Sequence, residues 1–234
     1  YNDPDWRKIY LEDTVRTLHR KLYEQLPTED RRIEDSSVII PGEWRTREVQ
    51  VGQHVAPTAH AIPAFYQRWR TVYADQPSGE RALIGVACAH HRLTWIHPFQ
   101  DGNGRVARLH SHLLLHSMGL TRGLWSPLRG LARTKHQYYS MLAEADAPRA
   151  GDLDGRGNLS QAGLLSFARY FLNTCLDQIQ FMSSILEFEG LRERLKEFLT
   201  LESLRKDSSL TPKATNALHY VFLAGNLGRG DFKR

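Results

Sequence analysis

The sequence predicts an all-α fold with one small β-hairpin, and two observations carry this prediction. Apolar residues recur every three or four positions through most of the chain, as in the segments 4–26, 60–74 and 160–179, which is the spacing of an amphipathic helix. Alternation of apolar and polar residues is confined to 48–51, and Gly52 follows it. We therefore expect a short hairpin among helices.

The first half of the chain alternates predicted helices with short breaks. The helix over 4–26 is expected to bury Leu18 and Leu22, and it stops at a proline that opens a polar loop. The segment 60–74 is amphipathic, and Pro77-Ser78-Gly79 breaks the chain after it. The segment 80–96 is apolar on nearly every side, which predicts a central buried helix.

The second half predicts helices over 106–118 and 131–145, with an irregular stretch at 120–130 between them. The segment 152–158 lacks the residue order of a calcium loop, so we expect a plain loop. Ser160 then caps a long helix.

The chain of 234 residues is long enough for one core with an appendage. We expect a first domain over 1–200 and a separate C-terminal segment over 201–234, because charges interleave from Leu191 and the polar stretch 206–209 breaks the pattern. The C-terminal segment contains one apolar helix, predicted over 214–224.

Composition excludes some classes of protein. The chain shows no signal-peptide pattern and no apolar run that could span a bilayer. The net charge of +5 is spread over dispersed lysines and arginines, so nucleic-acid binding stays open. Cys88 and Cys175 lie in apolar helical sequence, which predicts buried free thiols and a cytoplasmic protein. The chain begins with Tyr1, so we expect a fragment.

Residues 97–108, which read HPFQDGNGRVAR, hold most of the chemistry. Gly102 and Gly104 permit a tight turn that exposes the first N–H groups of the next helix, and such a helix end favours phosphate. Arg105 and Arg108 share one face of that helix. Asp101 beside an anion requires a bridging cation, for which Mg²⁺ is suited. His97 precedes the turn, and an imidazole titrates near neutral pH, which suits a general base.

The other histidines of this region do not form a recognisable metal site. Zinc sites on helices show spacings such as His-Glu-x-x-His, and this chain has none. We interpret these side chains as packing or surface residues: His90, His91, His110 and His116.

The stretch 97–108 resembles the signature of the Fic (Fic/Doc) family, His-x-Phe-x-Asp/Glu-Gly-Asn-Gly-Arg-x-x-Arg, at every fixed position. The resemblance extends from Pro41 to about residue 190, and residues 41–52 are similar to the family's flap. It implies a Fic-type helical domain that transfers AMP from ATP to a hydroxyl of a target protein.

The resemblance also implies roles for individual residues. His97 would take the proton of a target Ser, Thr or Tyr, and Asp101 would hold Mg²⁺. Arg108 would bind the γ-phosphate. The remaining phosphate contacts would be Gly102, Asn103, Gly104 and Arg105. The flap would hold the target segment through Trp44, Arg45, Thr46, Val49 and Val51. Tyr138 and Tyr139 lie in a segment similar to the one near the nucleotide base, although core packing explains either tyrosine equally well.

Many Fic proteins are inhibited by a helix with the pattern Ser/Thr-x-x-x-Glu-Gly/Asn, whose Glu pairs with the second arginine of the motif. In this chain only Glu189 is followed by Gly or Asn, and Ile185 stands where Ser or Thr is required. We therefore expect Arg108 to be unpaired, with any inhibitory segment or antitoxin outside this chain. A homodimer stays open.

Two alternatives remain at the level of sequence. The domain could use another donor, such as UTP or CDP-choline, or remove AMP. Alternatively, it could be a nucleotide-binding regulatory module that acts on DNA through its C-terminal segment, because residues 210–234 resemble the start of the winged helix that many Fic proteins carry.

Overall fold

The structure is a computed structural model that describes residues 5–33, 37–76, 79–187, 190–205 and 210–224. The described chain is mostly helical and contains one two-stranded antiparallel sheet, which confirms the predicted all-α fold with a small hairpin. The predicted breaks at 77–78 and 206–209, and Glu189, lie outside the described residues, as do the last ten positions of the predicted winged-helix start.

The described α-helices are, in chain order, α1 Glu12–Tyr23, α2 Ile62–Ala74, α3 Glu80–Ile96, α4 Asn103–Ser117, α5 Pro127–Arg133, α6 Lys135–Asp146, α7 Gln161–Leu186, α8 Leu191–Glu202 and α9 Thr215–Ala224. The hairpin pairs β1 Gln50–Val51 with β2 His54–Val55, in the register Gln50 to Val55 and Val51 to His54. Short 3₁₀ helices cover Trp6–Tyr10, Glu29–Arg31, Ala59–Ala61 and Pro212–Ala214.

The chain divides into two compact units, Tyr1–Gln178 and Ile179–Arg234. The first unit contains the hairpin and helices α1 to α6. The second contains α8 and α9, with Leu191, Leu199 and Thr215 buried. The predicted boundary near residue 200 stays a prediction.

Helix α3 lies at the centre of the first unit, as its apolar sequence predicted. It packs against α2 and α4, and Val86, Ala87 and Ile96 are fully buried. The Trp69 indole N–H of α2 donates to the Ala89 carbonyl at 3.0 Å. Because both neighbours cover α3, its C-terminal end is held firmly where the motif turn begins.

The single helix predicted over 4–26 is wrong. A 3₁₀ helix and α1 meet at Leu11, whose backbone is extended at φ −65° and ψ 142°. An extended residue interrupts the helical phase, so the two segments cannot share one apolar stripe. Leu18 and Leu22 are only partly buried, and the fully buried face of α1 carries Val15, His19 and Tyr23.

A second correction concerns 120–130, which was expected to be irregular. Helix α5 begins inside that stretch, at Pro127. The Ser126 hydroxyl accepts a hydrogen bond from the Leu128 N–H at 3.2 Å. A serine cap followed by proline in the first turn is a common helix start, so the signal was present in the sequence.

The predicted loop before the long helix is confirmed, and it caps that helix. Ser160 accepts from the Gly163 N–H at 2.9 Å and donates to Asp154 at 2.9 Å. The Asp154 carboxylate also accepts from the N–H groups of Gln161 and Ala162, at 2.8 and 2.9 Å. The bond from the Ala150 N–H, at 3.0 Å, and these further bonds lower the pKa of Asp154 to about 2.

Cys88 and Cys175 are free thiols, half-buried and buried respectively. Among the described helices, none is both long enough and apolar enough to cross a membrane.

Several histidines are buried and hydrogen-bonded. His90 lies between the Ser111 and Tyr138 hydroxyls, at 2.8 Å from each, and His91 bonds to Asp146 at 2.8 Å. His110 lies 3.1 Å from the Ile9 carbonyl. Burial lowers the pKa of His90 to about 3 and that of His110 to about 4, so both are neutral at pH 7.

We expect these histidines to make the fold sensitive to acid. Their pKa in the unfolded chain is about 6.5, so the unfolded chain binds protons first as the pH falls. Stability is therefore fully present above pH ~6.5 and is lost as the pH falls towards the folded values. Urea unfolding at pH 7 and pH 5 should show a smaller unfolding free energy at pH 5.

The variant His110→Gln provides the control, because its amide does not titrate. Between pH 7 and pH 5, the unfolding free energy of His110→Gln should fall by less than that of the wild type. An unfolding free energy that is constant between pH 7 and pH 5 in the wild type would contradict this prediction.

Candidate active site

The turn between α3 and α4 reverses the chain at two left-handed residues. His97 caps α3 at φ 52° and ψ 58°, and Gly102 precedes α4 at φ 80° and ψ 0°. Positive φ is uncommon for a residue with a Cβ, and His97 adopts it while its N–H still bonds to the Leu93 carbonyl at 3.2 Å. The predicted helix, tight turn and helix are confirmed.

The side chain of Asn103 closes this turn. Its oxygen accepts from the Phe99 N–H at 2.8 Å, and its amide nitrogen donates to the Phe99 carbonyl at 2.7 Å. Asn103 is buried. The sequence prediction made Asn103 a phosphate contact, but both ends of its amide are occupied by the turn. Only its backbone N–H, at the start of α4, is placed to meet an anion.

The imidazole of His97 is oriented by a backbone carbonyl. Its Nδ1 lies 3.1 Å from the Thr94 carbonyl. A carbonyl accepts only, so Nδ1 carries the proton and Nε2 has the free lone pair. Burial, followed by the charges of His54 and Arg45, lowers the pKa of His97 to about 4. The expectation of titration near neutral pH is therefore wrong, and the ring is neutral at pH 7.

Asp101 and Arg105 form an ion pair that also includes Tyr23. The Arg105 guanidinium lies 2.7 Å from Asp101 Oδ2, and the Tyr23 hydroxyl donates to the same oxygen at 2.7 Å. Arg105 also donates to the Tyr23 oxygen at 2.7 Å. Burial opposes ionisation of Asp101, but the bonds from Tyr23 and Gly102 and the charge of Arg105 together lower its pKa. The carboxylate is therefore ionised at neutral pH.

The start of α4 offers backbone donors and a second arginine. Its first helical bond joins the Val106 N–H to the Gly102 carbonyl at 2.9 Å, so the preceding N–H groups lack partners within the helix. A Cβ on Gly104 would lie 3.2 Å from Arg108 Nη1, which places that guanidinium beside the turn. Among the described residues, no carboxylate lies within the 4.0 Å ion-pair distance of Arg108.

Tyr138 and Tyr139 occupy different environments. Tyr138 is 2 % exposed, bonds to His90, and has the Arg108 guanidinium 5.8 Å from the centre of its ring. A ring this deeply buried has no free face for a nucleotide base, so Tyr138 supports Arg108 instead. Tyr139 is 52 % exposed, and it stays a predicted nucleotide contact.

The flap is attached to the motif turn by Arg45. This buried guanidinium donates to the His97 carbonyl at 2.7 Å, to the Arg47 carbonyl at 2.8 Å and to the Pro57 carbonyl. The Arg45 N–H donates to the Pro98 carbonyl at 2.8 Å. Three of the five N–H donors of the Arg45 side chain are therefore taken by backbone carbonyls, and this buried side chain positions the flap.

The other predicted flap residues differ in how far their side chains are exposed to solvent. The Trp44 ring packs against Tyr66, with centroids 5.3 Å apart, and under the Arg16 guanidinium at 4.5 Å. Thr46 and Val51 are exposed and Val49 is half-buried. The last three therefore remain the predicted contacts for a target segment.

Sequence reasoning missed two site residues, His19 and Tyr23. The His19 ring stacks on Phe99 with centroids 4.0 Å apart and planes at 7°, and it lies 4.6 Å from the Tyr23 ring. His19 also bonds to the Asp101 carbonyl at 3.2 Å and to the Gly42 N–H at 2.8 Å. One signal was available, because these two polar aromatic residues stand one turn apart on an amphipathic helix.

The sequence around this site is similar to a known protein family. The sequence model of the Fic/DOC family matches residues 10–115, which include α1, the flap and the whole motif turn. This part of the chain therefore matches the Fic/DOC family. Curated relatives include the protein adenylyltransferase Fic of Drosophila mojavensis, which is 31% identical over 133 residues. The protein of the same name from Culex quinquefasciatus is 33% identical over 106 residues.

These relatives are much longer than the matched regions. The first alignment covers 56% of this chain and 26% of the relative, and the second covers 45% and 20%. The chain therefore spans about a quarter or less of the length of the curated relatives it matches.

Solved structures of Fic proteins share the fold. A Fic family protein from Desulfovibrio desulfuricans G20 superposes with a TM-score of 0.57 and 21% identity, covering 77% of this chain and 50% of that one. A Fic domain containing signaling protein from Bacteroides thetaiotaomicron VPI-5482 gives a TM-score of 0.53 and 21% identity, covering 76% and 66%.

The close approach of Tyr23 to Gly102 gives a prediction about stability. A Cβ on Gly102 would lie 2.7 Å from the Tyr23 ring, whereas a Cβ on Gly157 would have nothing within 4 Å, and both glycines have positive φ, at 80° and 77°. Both Gly→Ala variants carry the backbone strain of about 1–2 kcal/mol. Only Gly102→Ala adds overpacking, of about 1–3 kcal/mol.

Urea unfolding of the two variants checks this difference, with Gly157→Ala as the matched control. The unfolding free energy of Gly102→Ala should be lower than that of Gly157→Ala by about 1–3 kcal/mol, the cost of overpacking against the Tyr23 ring. Equal losses of unfolding free energy would mean that the Tyr23 ring moves aside without cost.

Proposed function

We propose that the chain transfers AMP from ATP to a hydroxyl group of a target protein. One observation carries the proposal: a neutral histidine with its Nε2 free, an ionised carboxylate and a helix N-terminus flanked by two arginines meet in a single turn. The relatives from Drosophila mojavensis and Culex quinquefasciatus are both named protein adenylyltransferase Fic, which supports the same reaction.

His97 would act as the general base. The target hydroxyl oxygen attacks the α-phosphorus of ATP, its proton passes to Nε2, and the bond from the α-phosphorus to the bridging oxygen breaks to release pyrophosphate. A pKa of about 4 makes the free ring neutral and ready to accept. A triphosphate bound nearby favours the protonated ring, so binding of ATP would raise its basicity when the proton moves.

The residues present fit a magnesium ion held together with phosphate. Mg²⁺ is commonly bound through one or two carboxylates plus phosphates and water, and Asp101 supplies one ionised carboxylate with its side chain half-exposed. Tyr23 and Arg105 both bond to Oδ2, so Oδ1 would be the oxygen offered to a metal, with the Gly102 backbone also supporting the carboxylate. When bound, Mg²⁺ would neutralise negative charge on the phosphates of the nucleotide.

The phosphates would lie against the start of α4. The unpaired N–H groups of Asn103, Gly104 and Arg105 would stabilise negative charge that develops on the α-phosphate. Arg108 would bind the γ-phosphate. Arg105 would exchange its contact with Asp101 for one with a phosphate oxygen, since guanidinium groups bind both anions through the same planar donors.

The flap would present the target. Strand β1 is short, and its far edge is available to an extended peptide, which could add main-chain hydrogen bonds there. Thr46, Val49 and Val51 would contact that segment. Arg45 would hold the flap in register with His97 through the shared carbonyl contacts.

Transfer of label tests the reaction itself. The chain is incubated with a panel of candidate target proteins and with ATP labelled in either the α- or the γ-phosphate. AMP transfer places the α-label on protein and releases the γ-label as pyrophosphate. Label from γ-ATP on protein, or label from UTP or CDP-choline but not from ATP, would overturn the proposal.

The variant His97→Ala should lose transfer and keep nucleotide binding. Loss of a general base typically costs about a hundred- to ten-thousand-fold in rate, while His97 adds no charge to the phosphate site. Initial rates with α-labelled ATP and calorimetry with nucleotide measure the two quantities. His116→Ala, on the exposed far end of α4, is the control, and full activity in His97→Ala would reject the assignment.

The variant Asp101→Asn should lower activity and weaken its dependence on Mg²⁺. An amide is a neutral and poorer ligand than a carboxylate for this hard cation. Activity is measured across a Mg²⁺ titration, with Asp152→Asn as the control because that side chain is 97% exposed. A titration curve for Asp101→Asn that matches the wild type would assign Asp101 another role.

A further inference from the structure

The hydroxyl of Tyr23 lies between the two charged groups of the motif turn. It donates to Asp101 Oδ2 at 2.7 Å and accepts from Arg105 Nη2 at 2.7 Å. Tyr23 belongs to α1, so this contact comes from outside the motif. Tyr23 is 1 % exposed, whereas the Asp101 and Arg105 side chains that its hydroxyl contacts are about half-exposed.

The position of this hydroxyl is fixed by packing on both sides of the ring. One face stacks on His19, which is itself stacked on Phe99 and bonded to the Asp101 carbonyl. The edge of the ring lies against Gly102, where even a Cβ would clash. Because the ring is packed on both sides, it cannot move with the Asp101 carboxylate when that carboxylate rotates. The Tyr23 hydroxyl therefore keeps a fixed position.

We propose that Tyr23 is a positioning residue for the metal-binding carboxylate, holding Asp101 Oδ2 so that Oδ1 is available to a divalent cation bound with the nucleotide. This inference rests on the proposed function. Ligating carboxylates are usually held by hydrogen bonds from residues that do not touch the metal. Tyr23 is placed to provide such a bond from α1.

The contact with Arg105 explains why a second anchor is needed. In this structure Arg105 and Tyr23 both hold Asp101 Oδ2. Under the proposed function, Arg105 leaves Asp101 for a phosphate oxygen. Tyr23 then remains the side chain that fixes the carboxylate, at the moment when the cation requires it to be fixed.

A purely structural role for Tyr23 predicts something different. In that case its hydroxyl would serve only to attach α1 to the motif turn. Its loss would then disturb nucleotide binding equally with and without metal. The two roles are separated by measuring metal and nucleotide affinity independently of activity.

The experiment compares Tyr23→Phe with Tyr66→Phe in the intact chain. Phenylalanine keeps the stacked ring and removes only the hydroxyl. Tyr66 is also buried, and its hydroxyl donates to the Tyr10 carbonyl at 3.1 Å, so Tyr66→Phe controls for loss of a buried hydroxyl. Thermal unfolding first establishes that both variants are folded.

Mn²⁺ then serves as the metal probe, with the α,β-methylene analogue of ATP as a nucleotide that cannot transfer AMP. Electron paramagnetic resonance measures free Mn²⁺ during the titration, and calorimetry measures nucleotide binding in the presence of chelator. Tyr23→Phe should raise the Mn²⁺ dissociation constant about ten-fold or more and leave metal-free nucleotide binding unchanged. Tyr66→Phe should change neither value.

An unchanged Mn²⁺ affinity in Tyr23→Phe, or an equal loss of nucleotide affinity with and without metal, would overturn the inference. Asp101→Asn separates this failure from failure of the proposed function. If Asp101→Asn loses Mn²⁺ and Tyr23→Phe does not, only the role of Tyr23 is rejected. If the wild type binds no nucleotide, the proposed function itself is rejected.

Discussion

The turn between α3 and α4 depends on the side chain of Asn103, whose amide satisfies both the N–H and the carbonyl of Phe99. Without it, two buried backbone groups would lack partners, at a cost of about 1–3 kcal/mol each. The same contact fixes the Phe99 ring, on which His19 of α1 stacks. The amide thus holds together the turn, the helix that follows it and the helix that packs on it.

The electrostatics of the site follow from this arrangement. The start of α4 carries partial positive charge, and Arg45 and Arg108 lie on the two sides of the turn. A protonated His97 would be a further cation in a buried position, so burial first, and then the charges of His54 and Arg45, lower its pKa and keep the ring neutral. Asp101 is the opposite case, because the hydrogen bonds from Tyr23 and Gly102 and the charge of Arg105 outweigh its burial and lower its pKa.

The flap and the motif turn share their supports. Arg45 joins the flap backbone to the His97 carbonyl, and His54 of β2 lies 2.8 Å from the Trp95 carbonyl at the end of α3. A side chain that satisfies several carbonyls at once fixes their relative positions more firmly than separate contacts would. The surface that would present a target and the base that would act on it are therefore held by the same contacts.

The sequence by itself determined the features that arise from contacts close along the chain. The helical periodicity, the turn at Gly102 and the hairpin after Val49 were all predicted, because each depends on residues a few positions apart. The residue types of the motif likewise defined the candidate site. One local feature was mispredicted: the buried face of α1. The extended backbone at Leu11 separates α1 from the preceding 3₁₀ helix, and a leucine at that position does not indicate such a break.

Only the tertiary structure decided how the motif is supported. Tyr23 meets Asp101 from 78 positions away, and Arg45 meets the His97 carbonyl from 52 positions away. The burial of Tyr138 follows from its contact with His90, 48 positions away. Periodicity assigns a residue to a face of its own helix, but it does not determine which distant atom that face meets. The partners of buried polar groups are therefore fixed by packing of the whole fold.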